Sequence, residues 1–292
     1  MIRIATRASA LARWQAERVA TLLGDDAELV FVTTSGDRDQ TSDLHAIGGR
    51  GVFTKEVQRA VLDGRADVAV HSAKDLESMT PPGLVIAAVP ERADPRDVLV
   101  GSTLDALSPG GLVGTGSVRR RAQLAAARPD LLFGPLRGNI ETRLAKRRDL
   151  GYDAVVAAYA ALLRLGLADQ ATEVLDPGLV LPQVAQGALA AECRADDRST
   201  LDRLRAIDDT EAHRAVRAER AFLAELGGGC NVPCGALASV EGSRVALDAM
   251  LGSLDGHLVL RTHVDGEDPV AVGVTAATEL VHMGGRQVGA VS

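Results

Sequence analysis

The chain has 292 residues, more than one hydrophobic core usually organises, and a prior of about 150 residues per domain predicts two or three domains. Hydrophobic residues at 46% and charged residues at 24% are ordinary for a globular protein, while aromatics at 2% exclude stacking platforms for bases or sugars. A net charge of −7 excludes a polyanion groove covering the surface but leaves room for a local cationic cleft that selects small acids.

IRIAT, Ile2 to Thr6, predicts a buried strand, and the spacing of Leu11, Trp14, Val19 and Leu22 predicts the helix after it, with Arg7 and Ser9 in the turn between. A second strand follows from Glu28 to Thr34, then a polar loop through Gly51, a helix from about Phe53 to Leu62, and a strand from Ala66 to Ser72. Apolar strands alternating with amphipathic helices predict an α/β fold with mostly parallel sheets, which bind ligands beyond the carboxyl ends of their strands. Ser72, Lys74 and Asp75 lie at one such end.

PERADPRD, Pro90 to Asp97, is proline-rich and charged, as a hinge between domains is. The alternation then repeats through GLVGTG, the helix SVRRRAQLAAA, LLFGPL, the loop RGN, the helix IETRLAKRRDLG, the strand DAVVAAYA and the helix ALLRLGLA. IATRAS and VGTGS each place Thr and Ser at a strand-to-helix turn, where free N–H groups attract anions. Two lobes facing one cleft follow from that repetition. LPQVAQGALAAECR, Leu181 to Arg194, crosses back into the first lobe. A helix from about Asp208 carries EAHRAVRAERAFLAEL to the loop GGGCNVPCG, and alternating segments after it predict a small α+β domain. VTAATELVHM is weakly helical, and GGRQVGAVS is expected to fray.

Lys74 and Asp75 put a base and an acid side by side at a strand end, an arrangement that suits chemistry and equally suits a surface ion pair. Lys74 is one of only three lysines, with Lys55 and Lys146. Arg119, Arg120, Arg137 and Arg143 stand at glycine-rich turns and Arg164 among leucines; a planar guanidinium fork there matches a carboxylate. Arg121, Arg147 and Arg148 read as solvated, and His71 as a hydrogen-bonded core residue. Cys193, Cys230 and Cys234 make an odd set, and one Cys-x3-Cys pair is poor zinc spacing, so neither disulfide nor metal is expected. Cys230 follows three glycines, which suit a sharp bend or a close approach to a ligand. With no basic leader and no apolar run of membrane-spanning length, a cytoplasmic protein is expected.

IATRASALARWQA, GGRGVFTKEV, DVAVHSAKDL, ERADPRDVLV, VGTGSVRRRAQL, LRGNIETRL, PQVAQGALAAECR and GGGCNVPCG occur in this order, and the chain resembles the porphobilinogen deaminase family (hydroxymethylbilane synthases) along essentially its whole length. The resemblance implies two periplasmic-binding-protein-like lobes around a cleft, residues 1–92 plus about 186–205 and residues 96–182, with a C-terminal α+β domain over 208–292. It implies a dipyrromethane cofactor linked to Cys230, held by Ser72, Lys74, Thr115, Ser117, Arg119, Arg120 and Arg143. It also implies substrate binding by Arg7, Ser9, Arg137, Arg143 and Arg164, and catalysis by Asp75. Arg50 replaces the family's lysine in its GGKG turn, Gly116 is the third residue of its GTSS, and Leu163 precedes Arg164 in its AGLKRLG; none removes a catalytic group. Four porphobilinogen units would join head to tail, each losing ammonia, before water releases hydroxymethylbilane. Asp75 would stabilise each developing cation and assist proton transfer. A monomer acting on a small molecule, without nucleic-acid or membrane partner, is expected. The competing reading is a non-catalytic two-lobe protein that captures an organic acid; it gives no reason for Cys230 or for a third domain.

Overall fold

The computed structural model describes residues 1–24, 26–34, 53–227 and 232–285. Two of its sheets share one plan. The first consists of β1 (Ile2–Thr6), β2 (Ala27–Phe31), β3 (Val68–Ser72), β4 (Leu84–Ala88) and β10 (Leu189–Arg194), in the order β2-β1-β3-β10-β4. The second consists of β5 (Asp97–Val100), β6 (Leu112–Gly114), β7 (Leu132–Gly134), β8 (Ala154–Ala158) and β9 (Glu173–Val174), in the order β7-β6-β8-β5-β9. In each sheet the fourth position is held by one antiparallel strand among otherwise parallel ones: β10 in the first, β5 in the second. These are the strands next to the two crossings between the sheets, so each lobe receives its antiparallel strand where the chain enters or returns. This is the two-lobe, mostly parallel α/β arrangement expected from the repeated pattern.

The elements form for local reasons. β8, Ala-Val-Val-Ala-Ala, is buried along its whole length, as a strand covered on both faces must be. α1 (Ala10–Leu22) is capped by Ser9, whose hydroxyl accepts from the Ala12 N–H, and buries Ala16 and Val19 against the first sheet. α2 (Lys55–Leu62) packs Val57, Ala60 and Val61 on the same sheet's other face, and starts two residues later than the pattern predicts. The second sheet carries α3 (Val118–Ala127), α4 (Ile140–Asp149) and α5 (Tyr159–Arg164), and α6 (Arg198–Arg205) follows β10.

The third sheet is an antiparallel meander of β11 (Cys234–Glu241), β12 (Arg244–Gly252) and β13 (Val259–Gly266). α7 (Thr210–Glu225) and α8 (Pro269–His282) pack together over it, burying Phe222, Leu247, Leu251, Val272 and Leu280. α8 begins five residues before the weak helical pattern does. Asp268 caps it and Pro269 occupies its first turn, where a missing N–H costs nothing. One buried carboxylate ties the parts together: Glu219 of α7 receives two hydrogen bonds from the Arg92 guanidinium, at 2.6 and 3.1 Å, and one each from the N–H groups of Ala185 and Ala238. It thereby holds the first crossing, the second crossing and the third sheet at one point.

Candidate active site

Two strand-to-helix turns, one in each lobe, end in a serine cap. After β1, the Thr6 hydroxyl donates to the Ala12 carbonyl at 3.0 Å and Ser9 caps α1, which leaves Arg7 between them with its guanidinium 4.3 Å above the Phe53 ring. After β6, the Thr115 hydroxyl accepts from the Ser117 N–H at 3.2 Å, and the Ser117 hydroxyl accepts from the Arg120 N–H at the start of α3. β3 then delivers Ser72, whose hydroxyl accepts from Gln15 Nε2 of α1 at 2.7 Å, and one 3-10 turn, Ala73–Asp75, leaves the Asp75 side chain exposed. Arg7, Ser9, Gln15, His71, Ser72 and Asp75 line one pocket. An adjoining pocket spans both lobes and includes Ser72, Lys74, Arg164, Gln186 and Gly187.

The second lobe supplies most of the positive charge. Arg143 of α4 is half-buried and its Nε donates to the Gly138 carbonyl at 2.8 Å. Burial and the nearby Arg120 and Arg137 push it down to about 10, against the opposite pull of Asp75. Arg164, over the Trp14 ring at 5.6 Å, donates to the Gly187 carbonyl at 2.6 Å, and burial lowers it to about 10 as well. Arg137 is half-buried, and its carbonyl accepts from Lys146 Nζ. Burial, with Arg120 and Arg143 adding to it, brings the Lys74 ammonium down to about 8.

Arg119 and Arg120 have a partner that the sequence reading passed over. Both fork onto Asp97, the fully buried first residue of β5: Arg119 Nη2 donates to one carboxylate oxygen at 2.7 Å, and Arg120 donates to the other through Nη2 at 2.7 Å and Nε at 3.1 Å. Their remaining forks reach the Leu181 and Val156 carbonyls. Burial by itself raises a carboxyl pKa, yet the two guanidinium groups hold Asp97 well below the usual carboxylate range. Two cations on one anion leave a net positive charge there. The Nε atoms of Arg119 and Arg164 are buried without a hydrogen-bond partner among the described residues. β11 is seated against Arg119, since a Cβ on Gly235 would lie 3.2 Å from Arg119 Cδ and 2.7 Å from the Pro182 carbonyl oxygen.

Cys230, the expected attachment point, and Arg50 lie outside the described residues. Cys193 and Cys234 are buried. His71 is buried as expected, but it also lines the pocket, with Nε2 3.2 Å from the carboxylate of the wholly buried Glu192, which accepts from Gln58 Nε2 at 2.8 Å. Burial would raise the Glu192 carboxyl, and the combined effect of His71 and Gln58 lowers it. Among the described residues there is no group of three His, Cys, Asp or Glu that could hold a metal, and no helix long and apolar enough to cross a membrane.

A family model described as "Porphobilinogen deaminase, dipyromethane cofactor binding domain" matches residues 2–202, and one described as "Porphobilinogen deaminase, C-terminal domain" matches residues 213–282. The chain belongs to the porphobilinogen deaminase family. The porphobilinogen deaminase of Roseiflexus sp. (strain RS-1) is 48% identical over 97% of this chain and 96% of its own, and that of Brevibacillus brevis is 44% identical over 98% and 96%. Among solved structures the chain is similar to the BvgS VFT2 domain of Bordetella pertussis, at 14% identity, with a TM-score of 0.41 over 75% of this chain and 91% of that one. Membership in the porphobilinogen deaminases sets aside the non-catalytic organic-acid binder. The donor set also fits a porphobilinogen deaminase's dipyrromethane, a ligand bearing acetate and propionate groups. Half-buried Arg137, Arg143 and Arg164 and the unpartnered Nε atoms of Arg119 and Arg164 are donors that carboxylates satisfy.

Proposed function

We infer that this chain joins four porphobilinogen molecules head to tail with loss of ammonia and releases hydroxymethylbilane, working on a dipyrromethane attached to Cys230. The observation that carries the reading is the placement of Asp75, an exposed carboxylate just after β3 that shares a pocket with Arg7, Ser9 and Ser72. When bound, the dipyrromethane supplies the pyrrole α-carbon that begins the chain. Ser72, Lys74, Thr115, Ser117, Arg119, Arg120 and Arg143 hold its carboxylates. Arg7, Ser9, Arg137, Arg143 and Arg164 orient the incoming substrate through its acetate and propionate, since an acidic protein needs inward arginines to collect such groups.

Asp75 does the chemistry. Its carboxylate accepts from pyrrole N–H groups, stabilises the positive charge that develops as ammonia departs, and takes up the α-proton whose loss, after the new carbon–carbon bond has formed, restores aromaticity to the attacking ring. Gln15 fixes the Ser72 hydroxyl beside it. We read the chain as a cytoplasmic monomer, and size-exclusion mass checks the oligomeric state. The deciding experiment incubates purified protein with porphobilinogen. Release of one ammonia per substrate consumed and an intact mass above that of the bare chain are expected. A bare-chain mass together with no ammonia release overturns the reading.

A further inference from the structure

The second crossing contains the least relaxed backbone among the described residues. Ala185 has φ +58, the single non-glycine residue among the described residues in the left-handed region, a strained conformation that persists only where its surroundings enforce it. Those surroundings are on both sides. The Ala185 N–H donates to Glu219, the Gln186 carbonyl accepts from Arg92 Nε at 2.9 Å, and the Gly187 carbonyl accepts from Arg164. Gly187 is itself at φ +88, and a Cβ on it would lie 2.3 Å from the Ala93 carbonyl oxygen. Three successive residues are thus clamped, and what the clamped turn presents is the side chain of Gln186.

That side chain is wholly buried and both of its ends are used. Nε2 donates to the Pro95 carbonyl at 2.7 Å and to Asp97 at 2.8 Å. Two acceptors on one side fix which way the amide faces, because its oxygen in that place would meet two other oxygens. Oε1 is therefore left pointing at Lys74, whose Nζ donates to it at 3.2 Å. We propose that Gln186 is a positioning residue: its amide, pinned by Pro95 and Asp97, holds the Lys74 ammonium and ties the end of β3 in the first lobe to the buried Asp97, Arg119 and Arg120 cluster of the second. Lys74 is then held as a fixed cation beside Asp75 and does not swing as a flexible surface lysine does.

The charged groups that face Lys74 are Asp75 on its own turn, Asp97 of β5, Arg120 of α3 and Arg143 of α4. The proposal rests on the porphobilinogen deaminase reading only for its catalytic consequence, and its test reads the amine itself, so the two fail separately. Full-length protein is labelled with trace acetic anhydride across pH 6 to 11, and acetylation of the Lys74 peptide is followed by mass spectrometry. Lys55 and Lys146, the two other lysines of the chain, serve as internal references. Intact mass matches the samples for dipyrromethane content. Wild type should give a Lys74 midpoint of about 8. Gln186→Leu removes the acceptor from a desolvated ammonium and should lower the midpoint by about one unit, making Lys74 roughly fivefold more reactive at pH 7. Gln186→Glu places an anion there and should raise it. If Gln186→Leu does not accumulate folded, Gln186→Met takes its place. Opposite shifts support the proposal. Shifts in one direction, which report loosening and hydration, or no shift at all, overturn it.

Discussion

Asp97→Asn tests the central electrostatic feature of the molecule. The carboxylate is fully buried and receives three charged hydrogen bonds, at 2.7, 2.7 and 3.1 Å, from two arginines that are themselves buried. An asparagine keeps the shape but not the charge. Its amide nitrogen must face either the Arg119 or the Arg120 fork, donor against donor, and both guanidinium groups lose their only counter-ion in the cluster. Removing one partner of a buried pair typically costs about 3–5 kcal/mol because a desolvated charge is left behind. With a urea m-value near 3 kcal/mol per molar, a loss of that size lowers the midpoint by roughly 1 M or more. The pH dependence has a definite sign. The folded carboxyl lies below its unfolded value near 3.9, so its contribution is fully present above that value and lost as pH falls through the lower folded one. Wild-type stability should therefore drop more steeply than that of Asp97→Asn below about pH 4. Urea melts followed by circular dichroism at pH 7 and pH 3 read both effects. A variant within about 0.5 kcal/mol of wild type at pH 7 would refute the reasoning.

Asp75→Asn keeps the size of the side chain but cannot offset a developing cation or take a proton, so kcat should fall by several orders of magnitude with little change in KM, in a variant whose intact mass still shows the cofactor. Asp75→Glu should retain a little activity, because a displacement of about an ångström costs on the order of a hundredfold. Peptide mapping should find dipyrromethane on Cys230 alone, and Cys230→Ser should fold without it, whereas Cys234→Ser should keep it. Arg119→Leu should give mostly cofactor-free protein, and Arg7→Leu should give loaded protein that stalls; equal cofactor content in the two by intact mass counts against that division of roles.

The elements that carry the site were legible because their signals are local. A Thr and a Ser around a strand-to-helix turn announce a capped, anion-attracting helix start, and both turns are where the pattern puts them. Ser72, Lys74 and Asp75 leave the sheet as the apolar run before them ends. Partners distant in the chain are a different matter. Arg119 and Arg120 read as ligand-seeking cations, and nothing near them in sequence points to Asp97, an acid at the head of a four-residue strand inside a segment that composition marks only as a hinge. β4 and β5 themselves, α6 and the short β9 were passed over, since they are brief and flanked by charged or proline-containing stretches. The buried Gln186 had no signal beyond its place between two small residues, since what gives it weight is the strained turn and the two lobes that meet on it. α8 was read as weak and late because its start is written in Asp268 and Pro269, not in apolar spacing.

The shared sheet plan fixes an order of events during synthesis. The strands of the second lobe, β5 to β9, are consecutive in the chain, so that sheet can close as soon as Val174 has left the ribosome. The first lobe cannot do so, although its first strands are made earlier. Its β3 and β4 stay unjoined until β10 arrives, and the pairing of Ser72 with Leu189 spans more than a hundred residues. Long-range pairings of this kind are slow because loop closure is paid before any contact is gained. The earliest part of the nascent chain is therefore among the last to finish, with two strand edges open to chaperones or to aggregation in the meantime.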